Sequence, residues 1–112
     1  MAITQAIANS FKKELLEGEH NFKSSGGDKF KIALYTSSAT LNSATTSFTT
    51  TNQVANTGQY TSGGGLLVNS GTSITAGVAR VDFADRSFTG VTLTARGALI
   101  YNTSATATNA AV

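Results

Sequence analysis

"KFKIALYT", residues 29–36, changes character at every step. Phe30, Ile32 and Leu34 fall on one side of an extended chain, and Lys29, Lys31, Ala33 and Tyr35 on the other. This period of two, carried by aromatic and aliphatic side chains, predicts a half-buried β-strand and makes a sheet the frame for the rest of the chain. The polar, glycine-bearing residues 24–28 form the connection that leads into it.

On the N-terminal side, "AITQAIANSFKKELLEG", residues 2–18, has a different period. Ile3, Ile7, Phe11 and Leu15 are spaced four apart and would form one inclined row on a helix, widened by Ala6, Ala8 and Leu16. The spacing predicts a helix over about 4–17, with Thr4 as N-cap, Lys12 and Lys13 toward the end that favours cations, and Gly18 ending it. The apolar row should dock on the sheet or on a partner.

On the C-terminal side, residues 36–62 are dominated by hydroxyls. Only Leu41, Phe48, Val54 and Tyr60 could anchor this excursion, which should both hold short strands such as 46–51 and serve as a binding loop. "GGGLLVNSG", residues 63–71, reads as a flexible lead-in, a short strand at 66–69 and a turn at Asn69–Gly71. A second clear alternation follows in 73–85, where Ala79, Val81 and Phe83 oppose Val78, Arg80 and Asp82, and "DRSFTG" then forms a turn. In "VTLTARGALIYNT", residues 91–103, a strand is interrupted by Arg96-Gly97. A β-bulge there would shift the register so that Val91, Leu93, Ala95, Ala98 and Ile100 face inward and Arg96 turns toward solvent or a neighbouring molecule. An unbroken strand in which Gly97 admits a close-packed side chain is the alternative.

These elements place the chain in the α+β or mainly β class, an N-terminal helix followed by a small antiparallel β-sheet or sandwich. Residues 1–22 would be helix and connection, and 23–112 the antiparallel β domain, within one domain of 112 residues.

Composition narrows function. Only 12% of residues are charged, about half the usual share, while Ser and Thr make up about a quarter of the chain. Three Tyr, six Phe and no proline, set in patterned apolar segments, argue against disorder. The net charge of +2 is scattered, too thin for a nucleic-acid footprint. No segment has the length and apolarity of a membrane span, and Lys12 and Lys13 interrupt the N-terminal apolar run too early for a signal peptide, so a soluble, membrane-free protein made in a cytosol is expected. Without cysteine there is no disulfide framework and no thiolate metal site.

No constellation of catalytic residues stands out. His20, the one histidine, reads as a polar loop residue past the helix end. Asp82 and Asp85 could pair around a hard cation but are explained by a solvent face and a turn. A hydrolase would need His20 within hydrogen-bond reach of one of them. "SGGGLL" lacks the Lys-Ser/Thr and the helix of a phosphate-binding loop. The residues therefore point to a protein that is not an enzyme and carries no cofactor or metal.

The segments "AITQAIANSFKKELLEGEHNF", "DKFKIALYTSSATL", "TTTNQVANTGQYTSGG", "VDFAD" and "TARGALIYN" together resemble a family of small structural virion proteins of tailed bacteriophages, over nearly the whole chain and in the family's order. Members typically continue beyond the Ala-rich stretch with further strands, so the sheet here is expected to be shortened or completed by a neighbour. The resemblance implies a structural component of a virion, assembled in the bacterial host cytoplasm. Its expected place is the capsid surface, as a decoration or cement protein on the major capsid protein. The alternative is a tail, collar or fibre protein, including a receptor- or carbohydrate-binding module that stacks sugars on Tyr35, Phe48 and Tyr60. Partners would be other virion proteins and copies of itself. Candidate interface residues are Ile3, Ile7, Phe11, Leu15, Tyr35, Phe48, Tyr60 and Arg96.

Overall fold

The "KFKIALYT" strand becomes the centre of the molecule. In the computed structural model, which describes residues 3, 6–104 and 109–112, strand β1 (Phe30–Tyr35) is flanked by β2 (Gly65–Leu67) and β5 (Gly97–Asn102), and β6 (Ala110–Ala111) closes the far side. This four-stranded sheet, in the order β2-β1-β5-β6, is antiparallel throughout. A hairpin, β3 (Asn69–Thr75) with β4 (Val78–Phe83), forms a separate two-stranded sheet, and one helix, α1 (Asn9–Leu16), precedes them all. The protein is mainly β, with two antiparallel sheets and a short N-terminal helix.

Being central changes what β1 buries. Phe30, Ala33 and Tyr35 are fully buried and Ile32 and Leu34 partly so, so β1 is covered on both faces instead of alternating between core and solvent. Its register with β5 sets Ala33 opposite Leu99 and Lys31 opposite Tyr101, which stacks Ala33, Tyr35, Leu99 and Tyr101 on one face. Ala8 and Phe11 from α1, Ala39 and Leu41 from the excursion, and Ala111 complete that cluster. On the other face Phe30 stacks on Phe22, with ring centroids 4.5 Å apart, and meets Phe83 edge-on.

The helix is shorter than the periodicity predicts. It starts at Asn9, with Ala8 in an extended conformation, because the chain upstream is drawn into a parallel bridge between Ile3 and Leu41. The helical row therefore never forms. Phe11 is buried and Ile3 packs against the core, but Ile7 and Leu15 are 56% and 46% exposed. The other end is as expected: the Gly18 and Glu19 amides bond back to Leu15 and Glu14, a Schellman stop that satisfies the last carbonyls. Thr4, the expected N-cap, lies outside the described residues.

The excursion contains no strand at 46–51 among the described residues, only isolated bridges such as Ser47 with Ala110 and Tyr35 with Gln53. Three tyrosine hydroxyls tie it, and the glycine run that follows it, to the sheet. Tyr35 Oη donates to Thr49 O at 2.6 Å, and Tyr101 Oη donates to Gly63 O at 2.5 Å. Tyr60 Oη accepts from Leu34 N and from Gln53 Nε2, while Val54 N donates to Leu34 O. Strand β2 ends opposite Ile32, which would leave the Leu34 backbone bare, so Tyr60 and Val54 take the place of a longer strand.

Two further expectations are corrected. Asn69–Gly71 is not a turn but the opening of β3, where Gly71 sits in a bulge and Asn69 Oδ1 accepts from its amide. At Arg96-Gly97 there is no bulge and no strand before Gly97. Gly97 pairs regularly with Tyr35, Leu99 is buried, and Ile100 is only half-buried. The glycine is needed because a Cβ at position 97 would fall 2.8 Å from Ile3 Cγ2.

Candidate interaction surface

The one histidine, His20, is held inside the structure. His20 is buried, with its ring against Phe11 and Phe22, and is not the exposed loop residue its position suggests. Its Nε2 lies 2.9 Å from Glu14 Oε1, and its Nδ1 lies 2.9 Å from Asn102 Nδ2. Asn102 Nδ2 also donates to Asp28 Oδ2 at 2.8 Å, and the same carboxylate accepts from Asn21 N. An amide N–H facing Nδ1 makes that nitrogen the acceptor, which leaves the proton on Nε2 to be given to Glu14. The chain Glu14–His20–Asn102–Asp28 thus joins α1, the connection after it and β5. These bonds hold the elements together, and the imidazole is bonded to Glu14 and Asn102, not to Asp82 or Asp85. Among the described residues, no group of three or more His, Asp or Glu side chains could hold a metal ion, and no helix is long and apolar enough to cross a membrane.

The glycine run is also structural. Gly63 and Gly64 adopt positive φ, and Gly65 lies so close to the Arg86 guanidinium that a Cβ would collide with it. Arg86 in turn covers the Phe88 ring at 4.9 Å, and Phe88 packs edge-on against Tyr60.

The candidate interface residues separate into two groups. Phe11, Tyr35 and Tyr60 are buried, and Phe48 is half-buried, stacked on Tyr101 at 4.5 Å. Burial pushes the Tyr35 hydroxyl toward its protonated form, raising its pKa to about 12. These rings form no surface platform on which a sugar could stack. Ile3 is half-buried beside Gly97, while Ile7, Leu15 and Arg96 are exposed. Arg96 lines a shallow groove with Ile3, Leu41, Asn42 and Thr45, and its backbone amide donates to Tyr35 O at 2.8 Å. The structure brings Ile3, Phe11, Tyr35 and Phe48 together in the core cluster, and the exposed Ile7, Leu15 and Arg96 do not belong to it.

Protein-family models, curated proteins and solved structures offer no match to this chain. The exposed large apolar side chains are Ile7 just before α1, Leu15 and the 92% exposed Leu16 on it, and others along the segment from Leu66 to Val81. Within the second group, Ile74 is 77% exposed, and Val68, Val78 and Val81 are also open. The sequence reading missed this second group because an alternating strand was taken to have a covered face.

Proposed function

We propose that this protein is a non-enzymatic structural component of a tailed-bacteriophage virion, seated on the capsid surface as a decoration or cement protein. The observation that carries the reading is the combination of an exposed apolar hairpin and helix flank with a surface poor in charge and rich in hydroxyls. Such a surface packs against a protein lattice with little desolvation cost, and a symmetric particle multiplies weak contacts by presenting many copies of one site. The family resemblance carried by segments such as "KFKIALYT" and "TARGALIYN" points the same way. The stapled hydroxyl network supports the same role, since it makes the excursion a fixed part of the sheet.

Quantitative mass spectrometry of purified particles of the encoding phage tests the proposal. On the order of hundreds of copies per particle, in a fixed ratio to the major capsid protein, is the expected result for a decoration protein on a symmetric shell. A count of about a dozen or fewer would move the protein to the tail, collar or fibre, and its absence from particles would overturn the virion reading.

A further inference from the structure

Hairpin β3–β4 closes through a two-residue loop in which Ala76 and Gly77 both have positive φ, with Thr75 paired to Val78. In such a hairpin the pair flanking the loop exchanges hydrogen bonds and the ladder alternates from there. Val78, Arg80 and Asp82 therefore turn their backbone groups toward β3, and Ala84 N continues the series by donating to Val68 O at 2.7 Å. The N–H and C=O groups of Ala79, Val81 and Phe83 point the other way, along an edge that no strand among the described residues covers. The opposite edge, along β3, runs beside the 23–25 connection: a Cβ added at Gly71 would come 3.6 Å from Ser24, and Ser24, Ser25, Ser70, Gly71 and Thr72 line one cleft.

We propose that the free edge of β4 is a homodimer interface, occupied by β4 of a second copy in antiparallel register about a two-fold axis at Val81. The choice of occupant follows from charge. Arg80 and Asp82 flank Val81 on the same face of the strand, and among the described residues neither makes an ion pair within the chain. A two-fold at Val81 sets Arg80 opposite the partner's Asp82 and Asp82 opposite the partner's Arg80, in the non-hydrogen-bonded pairs where side chains approach closest. It also joins the outward backbone groups of Ala79, Val81 and Phe83 to their counterparts. Moving the axis by one residue puts Arg80 against its own copy, or Asp82 against its own copy, so the charges select the register as well as the partner. On the other face, Ile74, Ala79 and Val81 of the two copies merge into one apolar stripe across a four-stranded sheet. A lone two-stranded ribbon is marginal in water, and pairing removes that weakness along with the open edge. The inference concerns the free chain and does not depend on the virion proposal.

Sedimentation velocity of the full chain over a range of concentrations tests it, with circular dichroism to confirm that each variant is folded. The wild-type protein is expected to dimerise reversibly, and more weakly as salt is raised. Arg80→Asp alone, and Asp82→Arg alone, each set like charges opposite one another twice, and each should weaken dimerisation by about tenfold or more. An equimolar mixture of the two variants restores opposite charges at both positions and should recover a heterodimer near wild-type affinity. A wild-type chain that stays monomeric up to about 1 mM, salt-insensitive association, or single variants that associate unchanged would overturn the interface, as would a folded pair of variants that fails to recover on mixing.

Discussion

Strands β1 and β4 begin from nearly the same kind of sequence and end in opposite environments. "FKIALY" and "VARVDF" both alternate, and both carry basic residues among aliphatic and aromatic ones. Yet β1 has neighbours on both edges and is covered on both faces, whereas β4 is exposed along nearly its whole length and has one neighbour. Alternation reports that a segment is extended; what covers it is decided by segments far away in the chain. For β1 these are α1, β5 and the tyrosine-stapled excursion. For β4 only Phe83, at its base, reaches the aromatic cluster around Phe22 and Phe30.

The sharpest way to break this contrast is to empty a position on the covered strand. Phe30 is fully buried and contacts Phe22, Phe83 and His20, so Phe30→Ala should cost about 3–5 kcal/mol in chemical denaturation. A loss below about 1 kcal/mol would mean that β1 is no better covered than β4.

Alkaline titration probes the same region through the staples. Burial raises the pKa of both Tyr35 and Tyr101, the former to about 12. For an acid that is neutral when folded, the raised value means the folded chain holds a proton that the unfolded chain releases. Stability is thus fully present below about pH 10 and falls as the pH rises from there through about 12. Denaturation midpoints measured from pH 9 upward should decline across that window, and Tyr35→Phe should lessen the decline.

A smaller effect is expected where the covered sheet meets the N-terminal segment. Gly97→Ala would press a methyl group into Ile3, at a cost of about 1–3 kcal/mol by overpacking. In an Ile3→Ala background the same change should cost much less, and this coupling in a double-mutant cycle is the measurement that checks the contact.

How much was legible in the sequence follows from the same comparison. The strands β1 and β4, the glycine stop of the helix and the anchors Leu41, Val54 and Tyr60 depend on residues near in sequence or on simple apolarity, and these are found as expected. The regular pairing of Gly97, the early loss of the helical row and the burial of His20 are different. Each depends on one distant partner: Ile3 for Gly97, Leu41 for the segment before α1, and Asn102 for His20. No local period encodes such a pair. The candidate interface was read least well, since aromatic residues in a polar segment resemble surface platforms until the sheet beneath them is known.

The last prediction is the smallest and bears most directly on β4. Ile74 projects from β3 on the same side as Ala79, to which it is paired, and is 77% exposed. In the monomer it has almost nothing to lose, so Ile74→Thr, which keeps a β-branched side chain, should change stability by no more than about 0.5 kcal/mol. The measurement belongs at low protein concentration, where the dimer is dissociated. Repeated at high concentration, the same variant should be less stable than wild type, because the apolar stripe shared by two copies would then carry a hydroxyl at each end. A cost above about 1 kcal/mol at low concentration would show that the hairpin is already covered within a single chain, and the contrast between β1 and β4 would fail.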